Sequence, residues 1–226
     1  MTAGILSPKN TGTDTTYTEF NERPLGGHRT LLGIVPGGGR VLDVGCSGGY
    51  LAERMVANGS TVVGVELDPA AAESARTVCE RVLVGDVESM ELPFEDGSFD
   101  AVVCADLIEH LREPEAFLAR VRPLLRRDGR LVLTTPNVAN WSVRLQLLFG
   151  RWRYTERGIL DRTHAHLFTR ATLIECLEAA GYSVEEMDFT VPVPGAAVLE
   201  RVAHAIGALR PQLFAFQFVA AARPVG

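Results

Sequence analysis

An α/β fold built on a doubly wound, mostly parallel sheet is predicted by three features of the sequence. Short runs of β-branched residues alternate with segments whose apolar residues recur at helical spacing. A glycine-rich turn joins the first such run to the first helical segment, and a carboxylate closes the second run. A chain of 226 residues, 46% hydrophobic and 22% charged, is long enough to bury one sizeable core, so residues 1–226 are expected to form a single domain. The 22 basic and 28 acidic residues leave a net charge of −6, and Lys9 is the single lysine. With the arginines scattered there is no surplus of positive charge to meet a phosphate backbone, so no nucleic-acid partner is expected. Cys46, Cys79, Cys104 and Cys176 lie in or beside apolar stretches without CxxC spacing, which reads as reduced thiols and a cytoplasmic location. No stretch reaches the eighteen or so apolar residues of a membrane span, and Met1 to Phe20 is polar and Thr-rich without a signal-peptide core.

The elements follow in order. Arg40–Val44 (RVLDV) reads as a buried first strand, and Gly48–Asn58 as a helix stopped by Gly59. Thr61–Glu66 (TVVGVE) is the second strand, Pro69 opens a helix to Val78, and Arg81–Val84 is a short third strand. Phe99–Cys104 (FDAVVC) is the fourth strand and Pro114 opens a helix to Leu125. Asp128-Gly129 is expected to turn the chain into a fifth strand, Arg130–Thr135. The right-handed crossover rule then winds these units into an open sheet. After Pro136 the alternation lapses. It resumes with a helix over Thr169–Ala180 closed by Gly181, a strand over Tyr182–Phe189, and a last strand near Phe214–Ala222, seven strands in all. Residues 137–168 are therefore an insertion, and residues 1–20 a flexible tail or flap.

The chemistry begins at the turn Gly45-Cys46-Ser47-Gly48-Gly49. Residues without bulky side chains let a backbone approach a ligand, and the following helix N-terminus offers unpaired N–H groups. Glu66, 21 residues beyond Gly45, ends the second strand where a carboxylate can accept hydrogen bonds from both hydroxyls of a ribose. A dinucleotide-binding reductase would want G-x-G-x-x-G with its third glycine inside the helix, whereas this turn reads G-C-S-G-G.

Four motifs in order, VLDVGCSGG, VELD, VGDVESMELPFEDGSFDAVVC and PEAFLARVRPLLRRDGRLVLTTPN, make the chain resemble the class I S-adenosylmethionine-dependent methyltransferases, in the branch of small-molecule and ubiquinone-type enzymes. The resemblance covers residues 38–137 and implies a Rossmann-like fold with S-adenosylmethionine as cofactor. It implies cofactor contacts from Asp43, Gly45, Cys46, Ser47, Gly49, Glu66, Leu67, Asp86, Val87 and Cys104, with Glu66 on the ribose and Asp86 facing the adenine. The family's second glycine is Ser47 here. The implied reaction is an in-line displacement in which an acceptor hydroxyl, or less fittingly an amine, of a small molecule such as a natural product, sugar or lipid-linked compound takes the methyl group. The protein's share is positioning and, for a hydroxyl, proton removal.

Two segments offer groups for that proton. Asp106, Glu109 and His110 (D-L-I-E-H) stand at i, i+3 and i+4, and would point to one side if the segment turned helically. Asp161-Arg162-Thr163-His164-Ala165-His166 follows in the insertion. D-x-x-E-H resembles the E-x-x-E-H metal site of ubiquinone-biosynthesis O-methyltransferases and small-RNA 2′-O-methyltransferases. In the latter a histidine six residues before an arginine completes the site, an offset that His164 and Arg170 share. That resemblance implies Mg²⁺ or another divalent ion on Asp106, Glu109, His110 and His164, with Asp106 a shorter arm than glutamate. The other readings are metal-free, with His164, His166 or His110 as base, or purely structural histidines. A non-catalytic S-adenosylmethionine-binding module is the alternative outside the enzymes. His28 and His204 fall in expected helices without acidic company and read as structural. Trp141, Phe149, Trp152 and Tyr154 alternate with Arg144, Arg151, Arg153 and Arg157 where the family builds its acceptor pocket. This suits a lid over a flat or anionic small molecule, or a face for a second copy in a homodimer.

Overall fold

The computed structural model describes Phe20, residues 25–192 and residues 197–225. The expected tail lies, apart from Phe20, outside the described residues. Among the described residues, fifteen helices and strands run in the order α1 (Gly27–Ile34), β1 (Arg40–Val44), α2 (Tyr50–Ala57), β2 (Thr61–Glu66), α3 (Pro69–Ala75), β3 (Arg81–Val84), β4 (Phe99–Ala105), α4 (Pro114–Val121), β5 (Leu125–Pro136), α5 (Trp141–Leu148), α6 (Arg170–Ala179), β6 (Tyr182–Thr190), α7 (Ala197–Gly207), α8 (Pro211–Phe214) and β7 (Gln217–Pro224), with a 3-10 turn at Ile108–His110 after β4. One seven-stranded sheet takes the order β3-β2-β1-β4-β5-β7-β6. Strands β1 to β5 pair in parallel, and β7 runs antiparallel to both β5 and β6.

The limits of β1, β2 and β3 are those read from the sequence. Strands buried on both faces are continuous apolar runs with sharp polar ends. Successive side chains of β4 enter opposite cores: Val102 and Cys104 pack with Phe117, Leu118 and Leu173 of α4 and α6, while Ala101 and Val103 pack with Leu31, Leu51 and Ala72 of α1, α2 and α3. Tyr182, 1% exposed, is held by its hydroxyl, which donates to the Leu118 carbonyl at 3.0 Å.

Several expected boundaries move. The helix expected to reach Leu125 stops at Val121, because Pro123 has no N–H for another turn and a 3-10 turn over Arg122–Leu124 follows. The turn expected at Asp128-Gly129 is instead part of the strand: β5 starts at Leu125 and passes through it, with a register irregularity against β4 between Phe99 and Ala101. The helix expected from Gly48, which is α2, starts at Tyr50, two residues late, since Gly49 is its cap at φ +87°. Phe214, expected to open the last strand, instead ends α8, and β7 begins at Gln217. An apolar run of that length carries no periodicity that separates a helical turn from a strand.

The order reverses between β1 and β4, whose neighbours lie on opposite sides, and that switch point opens a crevice at the carboxyl ends of the strands. The turn after β1 and the turn after β4 both face it.

Candidate active site

One wall of the crevice is the glycine-rich turn. Gly45 and Cys46 donate backbone hydrogen bonds to the Val65 carbonyl at 2.8 and 3.1 Å, pinning the turn to β2. Ser47 sits at φ +48°, a left-handed conformation that the family's glycine would adopt without strain. Its N–H donates to Glu66 Oε2 at 2.7 Å, while the Asp68 N–H donates to Oε1 at 2.9 Å. Glu66 is thus aimed across the end of β2 by two backbone donors, with a lone pair left on each oxygen for a ribose hydroxyl. Leu67 beside it is 67% exposed, an apolar surface suited to a flat ring.

Beneath the turn, Asp43 is 1% exposed and its Oδ2 has no hydrogen-bond partner among the described residues. Burial, and then the charge of Glu66, push its carboxyl up to about 7. The Cys46 and Cys104 thiols are buried; the neighbouring Cys79 thiol and then burial push Cys46, and burial pushes Cys104, above the ordinary thiol range, which disfavours the reactive thiolate. Cys104 and Val87 face the core, which leaves only their backbone for a ligand. Asp86 is exposed and its Oδ1 accepts the Glu88 N–H at 2.9 Å, the start of a turn after β3.

The opposite wall follows β4. Ligand atoms of Glu109, His110 and His164 lie within 4.8 Å of one another, and the two imidazole rings meet edge to face with centroids 4.9 Å apart. The insertion is fastened here by its backbone: Ala165 and His166 N–H both donate to the Glu109 carbonyl, at 2.8 and 3.0 Å. His164 Nδ1 lies 3.2 Å from the Ile159 carbonyl, which makes Nδ1 the protonated nitrogen and leaves the Nε2 lone pair available. His110 Nδ1 is bracketed by the Thr163 carbonyl at 3.3 Å and Thr163 Oγ1 at 3.2 Å; that hydroxyl donates to Asp161, so it accepts from His110. Glu109 is 1% exposed, and among the described residues neither its carboxylate oxygens nor the neighbouring Thr135 Oγ1 has a well-formed hydrogen bond. Burial, reinforced by the Asp106 charge, raises the Glu109 carboxyl well above its usual range, and burial with the adjoining His110 lowers His164.

Two expected members stand apart. Asp106 is not among the converging ligands: it adopts φ +49° before the 3-10 turn begins, so the i, i+3, i+4 register does not hold. Its Oδ1 accepts from Thr134 Oγ1 at 2.9 Å and from the Gln217 side-chain amide. His166 points its Nε2 at the Arg112 carbonyl, 3.0 Å away, and stacks on Phe168, away from the pair formed by His110 and His164. His28 and His204 do have acidic company. His28 feels the Asp106 charge and lies against Tyr50, with ring centroids 5.0 Å apart, while burial lowers its pKa. His204 stacks on Phe189 at 4.4 Å with Nε2 3.6 Å from Asp188. Sequence reasoning also missed Gln217, which is 111 positions from Asp106, and Thr134 and Thr135, whose hydroxyls in the otherwise apolar run RLVLTT were a readable signal.

A doubly wound sheet with a glycine turn, an aimed carboxylate and an acid–imidazole cluster facing one crevice defines a group-transfer site for a nucleotide-like cofactor. Residues 17–187 match the family described as Methyltransferase domain, and the chain belongs to it, in the class I S-adenosylmethionine-dependent methyltransferases. Among curated relatives it is 30% identical over 158 residues to a ubiquinone biosynthesis O-methyltransferase of Acinetobacter baylyi, covering 66% of each chain. It is 33% identical over 162 residues to the enzyme of the same name from Xanthomonas axonopodis pv. citri, covering 68% of this chain and 66% of that one. The chain thus spans just under two thirds of the length of these relatives. Solved structures with the same fold include S-adenosylmethionine-dependent methyltransferases from Mesorhizobium loti (TM-score 0.61, 17% identity, 86% of this chain and 95% of that one) and Methanosarcina mazei (TM-score 0.60, 17% identity, 87% and 97%).

Proposed function

We propose that the protein transfers the methyl group of S-adenosylmethionine to a hydroxyl of a small-molecule acceptor. The observation that carries this reading is the pairing, across one crevice, of Glu66 aimed by two backbone donors with a cluster of buried Glu109 and half-buried His110 and His164. The residues fit the cofactor: Glu66 for the ribose hydroxyls, Leu67 for the flat base with Asp86 beside it to accept from its amino group, and the buried Asp43 carboxylate beneath the turn. When bound, the cofactor supplies a methyl group on a positively charged sulfur, which the acceptor oxygen takes as the carbon–sulfur bond breaks. His164 serves the other half. Held below its ordinary pKa, it is neutral near pH 7, and its Nε2 can take the hydroxyl proton as the new bond to carbon forms.

A second reading rests on the orphaned Glu109 carboxylate. A buried, unbonded acid beside two imidazoles whose Nδ1 atoms are engaged by backbone carbonyls is a donor set that fits a divalent cation on Glu109, His110 and His164. Such an ion would lower the pKa of the acceptor hydroxyl. Asp106 is not part of that set.

Binding is tested by calorimetry with S-adenosylmethionine, S-adenosylhomocysteine and NAD; affinity for the first two alone is expected, and affinity for NAD alone overturns the reading. Methyl transfer is then followed with labelled cofactor over phenols, sugars and polyprenyl-linked alcohols, before and after exhaustive chelation. Activity that survives chelation and is lost in His164→Ala supports the histidine base. Activity lost on chelation and restored by a divalent ion supports the cation.

A further inference from the structure

Cys46 and Cys79 lie in one buried cluster, 3% and 7% exposed, although they come from different parts of the chain. Cys46 stands in the glycine turn after β1, and Cys79 in the turn between α3 and β3. A Cβ on Gly64 of β2 would stand 2.6 Å from Cys46 Sγ and 3.4 Å from Val82 Cγ2, so it is the missing side chain at Gly64 that lets the Cys46 sulfur lie over β2 beside Val82. Val82 pairs with Gly64 and follows Cys79 by three residues, and the Cys79 N–H is tied to the Ala75 carbonyl at 2.9 Å. The Cys46 S–H has two acceptors within reach, the Ser47 carbonyl at 3.8 Å and the Cys79 sulfur, with which it is hydrogen-bonded. That bond lowers the Cys79 thiol, against the opposing effects of burial and the Asp43 charge, and raises Cys46. Cys79 is therefore the readier thiolate of the two.

We propose that Cys46 and Cys79 are a redox-sensing pair, which hydrogen peroxide joins in a disulfide that weakens cofactor binding at the glycine turn and which a dithiol releases. The Cys79 thiolate attacks one peroxide oxygen as the O–O bond breaks, giving a sulfenic acid, and the proton that Cys79 released joins the departing hydroxide as water. The Cys46 sulfur then displaces the hydroxyl from the Cys79 sulfur, and its own proton leaves with that hydroxyl as a second water. Two thiols are oxidised by two electrons and one peroxide is reduced to two waters. Thiol–disulfide exchange reverses the step.

The effect on the cofactor passes through packing, and this part rests on the cofactor reading of the turn. A covalent bond between the sulfurs is shorter than a hydrogen bond between thiols, so it draws the turn toward the end of α3. Little room is left there, since a Cβ on Gly49 would stand 3.0 Å from Ala75 Cα. The Cys46 N–H holds the Val65 carbonyl and the Ser47 N–H holds Glu66, so a shift of Cys46 is felt at the carboxylate that faces the ribose. Linkage is reciprocal, and bound cofactor should disfavour the disulfide by the factor by which the disulfide weakens binding.

The whole reduced protein is treated with hydrogen peroxide, its thiols are counted with a maleimide after denaturation, and its peptides are mapped without reductant. The four free thiols are expected to fall to two, with Cys46 joined to Cys79, and S-adenosylhomocysteine should slow the loss. Calorimetry should show affinity for S-adenosylmethionine reduced about tenfold or more and restored by dithiothreitol. Cys79→Ser should bind the cofactor like the reduced parent and keep that affinity in peroxide, whereas Cys176→Ser should stay sensitive. Four persisting thiols, a bridge between other cysteines, a disulfide without loss of affinity, or a Cys79→Ser protein that peroxide still weakens would each overturn the proposal. A reduced parent without affinity for S-adenosylmethionine would overturn the methyl-transfer reading and the switch with it, so the two failures are told apart before any oxidant is added.

Discussion

Glu66→Gln is the substitution that most directly probes how the cofactor wall is built. In the parent, both carboxylate oxygens accept from the backbone, Ser47 N–H at 2.7 Å and Asp68 N–H at 2.9 Å. A glutamine has one acceptor oxygen, so it can satisfy one of these donors and must turn its NH₂ toward the other. One partly exposed hydrogen bond is lost and a donor–donor contact replaces it, a cost of about 1–1.5 kcal/mol. In a chain of this size that lowers the melting temperature by about 2–6 °C. Glu66→Ala loses both bonds but admits water to the two N–H groups, so the glutamine should be no better tolerated than the alanine. Toward the cofactor, the charged acceptor for two ribose hydroxyls is removed. At about 1.5–3 kcal/mol for a hydrogen bond to a charged group, the loss of even one amounts to tenfold or more in affinity. Scanning fluorimetry and calorimetry with S-adenosylmethionine read the two effects separately. A folded Glu66→Gln protein with the parental melting temperature and affinity would refute both the role of Glu66 in holding the turn and its role on the ribose.

Two further outcomes concern titration. Asp43 is raised from 3.8 to about 7 in the fold, so the native state holds a proton that the unfolded chain releases; stability should therefore fall as pH rises from about 4 to about 7, and Asp43→Asn should remove part of that fall in urea titrations across the range, with an unaltered slope counting against the assignment. If His164 is the base, the rate of methyl transfer should rise with pH through an ionisation below the ordinary histidine value of about 6.5 and be level by neutrality, because burial and His110 disfavour its charged form; a limb above 6.5 would exclude His164.

How much of this was legible in the sequence follows from the range of the interactions. The first three strands are local objects, apolar runs bounded by glycine, proline or charge, and their limits could be read directly. The turn Gly45 to Gly49 and Glu66 are also fixed by near neighbours, since β1 pairs along its whole length with Thr61–Val65 of β2 and the turn is bonded to Val65. The second wall was only half visible. That Glu109, His110 and His164 meet was implied by the resemblance to the E-x-x-E-H motif, but the exclusion of Asp106 depends on Thr134 and Gln217, 28 and 111 positions away. No window of sequence contains that competition. The position of His166 was equally hidden: the irregular loop carries it to the Arg112 carbonyl, 54 positions away, while His164 turns to Ile159.

The site therefore has two parts of unequal rigidity, and a substitution remote from the chemistry should separate them. Glu66 and the glycine turn belong to the paired sheet, whereas His164 depends on an insertion held by the Glu109 carbonyl and by the small cluster of Val143, Ile159 and Leu160. Val143, 2% exposed, is the one residue of α5 in that cluster. Val143→Ala removes two methyl groups from it, a cost of about 1–2.5 kcal/mol from lost burial and the gap left behind. Because Ile159 also presents the carbonyl that fixes the His164 tautomer, loosening its packing should be felt at Nε2. The cofactor's affinity should stay at the parental value while turnover falls, since none of these groups touches the turn or Glu66. Calorimetry and steady-state rates on the same preparation distinguish the cases. An equal loss of cofactor affinity would mean that the insertion closes over both halves of the crevice, and unchanged turnover would mean that His164 is held without help from α5.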